Sequence, residues 1–337
     1  MKMSLGLVLL FVTNFAFGQS VVSLQVTAAD SAAATSRSGF RALGIRGTNP
    51  SVGNPALTLT PADGPSVPSI PSPGFYPADV TNPGGGRTIV DSEHHPIYVN
   101  DPSTEWGDPG KFLTDLGKSD FIHLLDQYVG VSSDDRYTLG TSLSVLGYPI
   151  PGNHTLQQSD LNAILHAAAS KEGVGLEHIY HIFLPQDVDV CVPNPPGPQI
   201  CYSPDNNNTF VFCALHGYVD FKSLGHVIYT LEPYQNVAGC NAPPAGTPNG
   251  QLTDSTDDTL SHEVFESISD PNLDAWWVQN LTFAYGNEIG DLCVRSEIVG
   301  SNIYSFYGNV ALNGHTYRVQ PEYSNQFHGC AYQLANQ

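Results

Sequence analysis

Six cysteines in the second half of the chain constrain its fold more than any other feature. The chain has 337 residues, and the cysteines are Cys191, Cys201, Cys213, Cys240, Cys293 and Cys330. An even number of cysteines in an exported protein favours disulfides. The sequence contains no C-x-x-C pair, so a thiolate zinc site and a redox motif are both disfavoured. Several pairings are open, but joining neighbours along the chain predicts Cys191–Cys201, Cys213–Cys240 and Cys293–Cys330.

The N-terminal residues indicate export. Met1-Lys2 gives a short positive start, an apolar run follows from Leu5 to Phe17, and Ala16-Phe17-Gly18 places small residues before Gln19. This pattern predicts a signal peptide over residues 1–18. No later segment approaches the roughly 18 continuous apolar residues that a membrane helix needs. The expected location is therefore outside the cytoplasm, whether extracellular, in a cell wall or in a periplasm.

The charge balance narrows the expected partners. The chain carries 32 acidic and 12 basic residues, which gives a formal net charge of −20. Such a surface repels phosphate backbones and anionic lipids, so neither nucleic acid nor a membrane surface is an expected partner. The excess of carboxylates is compatible with divalent cations or with an acidic habitat. A peptide or a cell-wall polymer remains as the expected partner, and the sequence does not indicate an oligomeric state.

Composition divides the chain into a leader and one domain. Residues 19–86 are rich in Ser, Pro, Thr, Ala and Gly, and they contain few large apolar side chains to offset the entropy of ordering. We therefore predict a flexible leader over residues 19–86 and a single folded domain over residues 87–337.

Strand-like and helix-like runs alternate within the predicted domain. The segments HPIYVN, HIYHIFLP, NTFVFCALHGYVDF and HVIYTLEPY are rich in aromatic and β-branched residues, which is typical of strands. Apolar residues at helical spacing predict a helix in SDLNAILHAAASKEG and another from about Thr256 to Ser269. These elements predict a zincin-like α+β fold: a mixed sheet with helices packed on one side, followed by a loop-rich C-terminal half stabilised by disulfides.

The second predicted helix contains His262-Glu263-Val264-Phe265-Glu266, which matches the zinc-peptidase pattern H-E-x-x-H except for its last residue. Side chains four apart on a helix converge on one ion, so His262 and Glu266 are predicted metal ligands. Glu263 is the predicted catalytic residue, acting as a general base on water.

A second acidic motif, Asn287-Glu288-Ile289-Gly290-Asp291, follows the helix. It predicts Glu288 as the third metal ligand and Asp291 as a residue that orients a ligand. One histidine and two carboxylates form a harder, more anionic donor set than most zinc sites. The predicted cofactor is a divalent metal, with zinc first and calcium or manganese as alternatives.

Simpler interpretations exist for all of these residues. A helix with one histidine and two glutamates on its polar face is commonly just solvated. His94-His95 is expected to be a solvated surface pair, and His178 and His181 are expected to be structural. His216 and His226 lie on predicted strands before the helix, so either is a candidate for a fourth ligand or an oxyanion contact.

Three segments of the chain resemble one known family. LSHEVFESISDPNLDAWW, GNEIGDLC and YRVQPEYSNQFHGC are similar to the C-terminal half of the EXORDIUM-like, phosphate-induced protein family. The resemblance runs from about Ile179 to Cys330 and is strong after Leu260, although PEYSNQF departs from the family's usual W-x-W-type ending. The matching residues are His262, Glu263, Glu266, Asp270, Pro271, Trp276, Trp277, Glu288, Asp291, Leu292, Cys293 and Cys330.

The resemblance implies a secreted, cell-wall-associated protein linked to growth and to phosphate or carbon responses. The family has no settled activity, and some members lack the His-Glu pair. Two functions are therefore consistent with the sequence. One is a secreted metal-dependent hydrolase, for which the first expectation is a metallopeptidase. The other is a non-catalytic extracellular signalling or binding protein in which the same residues hold a structural ion or a polar network.

Overall fold

The computed structural model describes residues 21–44, 79–242, 246–279, 287–294, 297–299, 302–304 and 308–334. The predicted signal peptide, residues 1–18, lies outside them. Within them, the α-helices are α1 (Ala28–Ser31), α2 (Pro109–Gly117), α3 (Asp126–Val129), α4 (Gln158–Glu172) and α5 (Gln251–Ser269). Short 3-10 helices cover Ser103–Trp106, Ile122–Leu125 and Asp291–Cys293.

The strands of the described residues cluster in one large sheet and several small ones. In chain order they are β1 (Val21–Ser23), β2 (Thr35–Gly44), β3 (Ser92–Val99), β4 (Tyr137–Leu139), β5 (Ser142–Val145), β6 (Thr155–Gln157), β7 (Gly175–Phe183), β8 (Asp189–Val192), β9 (Ile200–Tyr202), β10 (Phe212–Phe221), β11 (Gly225–Glu232), β12 (Glu297–Val299), β13 (Asn302–Tyr304), β14 (Gly308–Leu312), β15 (His315–Val319), β16 (Glu322–Ser324) and β17 (Gly329–Ala331). The fold is therefore α+β, as predicted.

The large sheet is mixed. Its order is β1-β5-β3-β7-β11-β10-β2, and β4 also pairs with β3. The pairs from β1 to β11 are parallel, whereas β10 pairs antiparallel with both β11 and β2. Side chains alternate between the two faces of a strand, so neighbouring histidines such as His94 and His95 point to opposite faces.

Helices cover both faces of this sheet, not one face as predicted. Leu260 and Phe265 of α5 pack with Ile179 and Ile228 on one face. On the other face, residues of α4 pack with alternate positions of the same strands. The central strands are long apolar runs that can bury both faces, which is typical of parallel strands between helical layers. A one-sided arrangement would have left one of those faces in water.

The predicted flexible leader is ordered where the structure describes it. Val21–Ser23 pairs with β5, and Thr35–Gly44 lies beside β10 over most of its length, so both segments belong to the large sheet. The composition of these segments did not predict their order, because a strand at a sheet edge is held by backbone hydrogen bonds. Such a strand needs few large apolar side chains. Strand β2 also brings Arg41 opposite His216 in the large sheet.

Helix α5 begins at Gln251, about one turn before the predicted start, and it is buried on every side. All of its residues from Asp254 to Ser269 are buried, including Glu263 and Glu266. The simpler interpretation, a helix whose polar face is solvated, is therefore wrong. The sheet covers one side of α5, and β15 packs against another. Carboxylates thus lie inside the protein, where an unpaired charge is costly.

The predicted disulfide pairing is confirmed. Cys191–Cys201 links β8 to β9, Cys213–Cys240 links β10 to a later loop, and Cys293–Cys330 links the last 3-10 helix to β17. Among the described helices, none combines the length and apolar character that crossing a membrane requires.

Replacing both Cys293 and Cys330 with Ser is expected to lower the free energy of unfolding by about 4 kcal/mol, since the bridge closes a loop of 37 residues. It should also weaken binding of the predicted metal ion, because the bridged 3-10 helix begins at Asp291, a residue of the predicted site. Denaturant unfolding and metal titration measure the two effects. The control replaces Cys191 and Cys201, which close a loop of 10 residues elsewhere; it should cost about 3 kcal/mol and leave metal binding unchanged. Equal metal affinity in both variants would contradict the expectation that the Cys293–Cys330 bridge supports the metal site.

Candidate metal centre

Three parts of the fold meet at the polar side of α5. The helix contributes His262, Glu263 and Glu266, and β10 contributes His216 from the sheet beneath it. The segment that leads into the last 3-10 helix contributes Glu288 and Asp291. All six side chains are buried, and Asp291 is the most exposed of them at 5%.

One group of potential ligands joins His262, Glu266 and Asp291. The Nε2 atom of His262 lies 3.1 Å from Oε1 of Glu266 and 3.7 Å from Oδ1 of Asp291. The Asp291 backbone N–H donates to Glu266 Oε1 at 3.0 Å, which fixes the carboxylate. Gly290 lies against both side chains: a Cβ there would stand 2.5 Å from His262 Nδ1 and 2.8 Å from Glu266 Oε1. The segment can approach α5 this closely only because position 290 has no side chain.

The second group joins His216, Glu266 and Glu288. The Nε2 atom of His216 lies 3.5 Å from Oε2 of Glu288, and its Nδ1 lies 3.8 Å from Oε2 of Glu266. Within the described residues, neither ring nitrogen of His216 has a hydrogen-bond partner. Burial lowers the pKa of His216 to about 4, although the charge of Glu266 opposes the change. The ring is thus neutral at ordinary pH, which is the form that binds metals.

Glu266 is the residue common to both groups, with Oε1 toward His262 and Oε2 toward His216. In each group the potential ligand atoms lie within 4.8 Å of one another. Two ligands of a tetrahedral zinc stand about 3.4 Å apart, so the contacts of 3.1 to 3.8 Å match the spacing that an ion requires. These buried His, Glu and Asp groups can hold a metal ion.

The predicted ligands are brought together in a different arrangement from the one expected. Glu288 lies with His216, the histidine that the sequence offered as a fourth ligand. Asp291, expected to orient a ligand, lies at ligand distance from His262 and also accepts the Glu288 backbone N–H at 3.1 Å. His226, the other candidate, is hydrogen-bonded to Asp220 at 2.6 Å instead.

The electrostatics of the centre also favour a cation. Burial and the neighbouring carboxylates Glu266 and Asp270 raise the pKa of Glu288, although Arg41 opposes the shift. Burial and Glu266 likewise raise the pKa of Asp291. Glu266 differs: burial favours its neutral form, but His262 and then His216 hold its pKa below the ordinary value. Removing positive charge would leave these carboxylates to repel one another.

Arg41 supplies one positive charge at the edge of the centre. Its guanidinium lies 3.5 Å from Glu288 Oε2 and 3.4 Å from Asp270 Oδ2. It also stacks over Trp277 at 5.1 Å from the ring centroid. Arg41 is opposite His216 in the ladder between β2 and β10, which explains its position. Sequence reasoning missed this residue because it lies in the predicted leader.

Glu263 belongs to neither ligand group. Its side chain is fully buried, and neither carboxylate oxygen has a hydrogen-bond partner in the described part of the chain. Burial, followed by the charges of Glu266 and Glu232, raises its pKa well above the ordinary value. A carboxyl group in this state is unusual, because most buried polar groups are paired.

A line of hydrogen bonds runs across the sheet on the same face. The Thr230 hydroxyl donates to Glu232 Oε1 at 2.8 Å and lies 2.9 Å from His181 Nδ1. His181 Nε2 lies 2.8 Å from His94 Nδ1, and His94 Nε2 lies 3.3 Å from Ser92 Oγ. The prediction that His94-His95 is a solvated pair is wrong, since both are buried beneath the layers that cover the sheet.

All the titratable groups in this line are held neutral. Burial lowers the pKa of His94 to about 3 and that of His181 well below its ordinary value, and burial raises the pKa of Glu232 to about 8. One set of donors satisfies every link: Ser92 donates to His94, His94 to His181, His181 to Thr230 and Thr230 to Glu232. The line therefore crosses the core without a buried charge.

The Glu232→Gln variant tests this neutral state. A carboxyl whose pKa rises from 4.5 when unfolded to about 8 when folded stabilises the protein below pH 4.5. That stabilisation is lost as the pH rises through 8, because the unfolded chain releases the proton first. Glutamine has no proton to lose, so the unfolding free energy of the variant should fall less between pH 5 and 8, by a few kcal/mol at most. Exposed Glu177→Gln is the control; parallel curves for wild type and Glu232→Gln would contradict the assignment.

Comparisons of the chain with models of protein families, with characterised proteins and with solved structures found no match.

Proposed function

We propose that this protein is a secreted, metal-dependent hydrolase that cleaves peptide bonds at the α5 centre. The observation that carries the proposal is the position of Glu266, which lies at ligand distance from two histidines on different elements while Glu263 stands beside it unpaired. A mixed sheet beneath a long helix bearing His-Glu also supports a zincin-like arrangement. The three disulfides support export, and the sequence resemblance supports an EXORDIUM-like extracellular protein.

The donor set fits a divalent cation. His216 is neutral with both nitrogens unpaired, and Asp291 Oδ1 is buried without a hydrogen-bond partner in the described residues. Glu266, His262, His216, Glu288 and Asp291 would hold the cation. Two imidazoles with carboxylates favour zinc, and the number of carboxylates keeps manganese and calcium as alternatives. A cation held here would make water more acidic and would polarise a carbonyl group.

Glu263 would act as the base in this reaction. Its carboxylate would take a proton from water as the water attacks the peptide carbonyl, and it would then deliver the proton to the leaving amine. Its pKa is raised by burial and by negative neighbours, so a cation close by would favour the ionised form that the first step requires. Asp291 would position Glu266 and the adjoining segment through its backbone N–H. Arg41 would hold Glu288 and Asp270 in place.

The complete burial of the centre favours a second candidate. Catalytic metals need an open position and a path for substrate, whereas His262, Glu263 and Glu288 have no exposed surface. The alternative function is therefore a non-catalytic extracellular protein, EXORDIUM-like, whose ion ties α5 to β10 and to the C-terminal segment. In that case the unpaired Glu263 would carry a proton and take no part in chemistry.

Metal analysis of the purified secreted protein tests for the bound ion that both candidate functions require. The expected result is one divalent ion more per molecule in the wild type than in the Glu266→Gln variant. A protein that holds no zinc, manganese or calcium at this centre, even after incubation with each ion, would overturn the proposal. Peptide hydrolysis then separates the two candidates, since only the hydrolase loses an activity when Glu263 is changed.

A further inference from the structure

We propose that Glu93, His95 and His178 form a second, separate metal site that binds a transition cation of the zinc class. These residues lie on β3 and β7, on the face of the sheet opposite α5. Glu93 and His178 are directly paired in the parallel ladder, and His95 follows Glu93 by two residues, so all three side chains share that face. This site is independent of the proposed function and of the α5 centre.

The distances between the potential ligand atoms suit one ion. His95 Nε2 lies 3.0 Å from His178 Nδ1, and Glu93 Oε2 lies 3.7 Å from the first and 3.9 Å from the second. All of them fall within 4.8 Å of one another. Ligands of a tetrahedral zinc stand about 3.4 Å apart, so small movements of an exposed glutamate bring the three atoms to bonding positions.

A hydrogen bond sets the tautomer of His95 that metal binding requires. Its Nδ1 lies 3.2 Å from the carbonyl oxygen of Thr141, and a carbonyl can only accept, so Nδ1 carries the hydrogen. The Nε2 atom of His95 therefore accepts a hydrogen bond from Nδ1 of His178. A cation would replace that hydrogen between the two rings, and His178 would then carry its hydrogen on Nε2. Histidines that bind metals commonly donate their other N–H to a backbone carbonyl, as His95 does. Burial also lowers the pKa of His95, which keeps the ring neutral.

Two glycines make room for the imidazoles. A Cβ at Gly140 would stand 2.4 Å from Cε1 of His95, and one at Gly173 would stand 2.4 Å from Nε2 of His178. Tyr180 stacks on His95 with ring centroids 5.1 Å apart, and its hydroxyl donates to the carbonyl of Gly173. The rings are thus held in place by their surroundings rather than by each other alone.

Access and chemistry identify the ligand class. The side chain of Glu93 is 56% exposed and that of His178 is 20% exposed, so a hydrated ion can reach the group and keep water in a fourth position. Two imidazole nitrogens with one carboxylate select zinc, cobalt, nickel or copper over calcium and magnesium, which prefer oxygen ligands.

Metal counting on the full secreted chain tests the site. The protein is stripped with a chelator, incubated with zinc, desalted and analysed for bound zinc, and cobalt absorption gives a second readout of the ligands. The Glu93→Gln and His178→Asn double variant is expected to hold one zinc fewer than the wild type. The matched control is Glu177→Gln, an exposed carboxylate on the same strand, which should hold as much zinc as the wild type.

The Glu266→Gln variant distinguishes zinc bound at the α5 centre from zinc bound at this second site. That variant should keep the zinc bound through Glu93 and His178 whatever happens at α5, so failure of one proposal does not imply failure of the other. If the double variant and the wild type bind the same amount of zinc, or if the wild type binds none at this face, the second site is overturned.

Discussion

Zinc added to the metal-free protein is expected to raise its melting temperature, and the Glu266→Gln variant is expected to lose the part of that gain that comes from the α5 centre. A ligand at a hundred times its dissociation constant stabilises a folded protein by about 2.7 kcal/mol. For a chain of 337 residues, that corresponds to roughly 4 °C. Thermal unfolding with and without zinc, after treatment with a chelator, measures the effect.

The physical reason is the charge inside the protein. Glu266 meets His262 through one oxygen and His216 through the other, so its loss removes the one ligand that both groups share. Burial and mutual repulsion raise the pKa values of Glu288 and Asp291, which shows that the metal-free centre disfavours their ionised forms. A bound cation reverses that preference, and the resulting interaction stabilises the folded state only.

Glu322→Gln is the matched control for this experiment. Glu322 is also a fully buried glutamate with a pKa raised by burial and by Glu266, but it belongs to neither ligand group. It should therefore retain the zinc-dependent gain. The second site on the opposite face is intact in both variants, so its contribution cancels. Equal gains in wild type and Glu266→Gln would contradict the placement of the ion at α5.

The parts of the fold that were predictable depend on local patterns. The disulfides follow from the order of the cysteines, and the helix with His262 follows from its apolar spacing. The alternation of side chains along a strand also predicts that His94 and His95 point to opposite faces of the sheet. By the same rule His216 shares a face with Tyr218, which packs in the same core cluster as Leu260 and Phe265 of α5.

The other parts depend on contacts between distant segments. Arg41 lies in a stretch of polar composition, and only its pairing with β10 brings it to Glu288. The complete burial of α5 depends in part on β15, far along the chain. Likewise, Asp291 was expected to support a ligand, but Gly290 allows the segment to approach α5 so closely that Asp291 itself reaches His262. No spacing rule for a single helix contains these distances.

The Glu263→Gln variant is expected to keep the bound metal and to lose peptide hydrolysis. Glu263 is outside both ligand groups, so the donors around Glu266 are unchanged by the substitution. Glutamine has nearly the same shape and cannot accept a proton from water. Loss of a general base commonly slows a reaction by about 10² to 10⁴-fold. Hydrolysis of a mixed peptide library, followed by mass spectrometry, measures the activity, and elemental analysis measures the metal.

Three properties of Glu263 make this the sharpest test of the proposed chemistry. It follows a potential metal ligand directly in the chain, it is fully buried, and both of its oxygens lack hydrogen-bond partners in the described residues. The first property is the one that distinguishes Glu263 from Glu322, which is also fully buried with both oxygens unpaired in the described part of the chain. Glu322→Gln, equally buried and equally conservative, should keep both metal and activity. If wild type and Glu263→Gln both bind the metal and neither cleaves any peptide, the ion has a structural role and the hydrolase assignment is wrong.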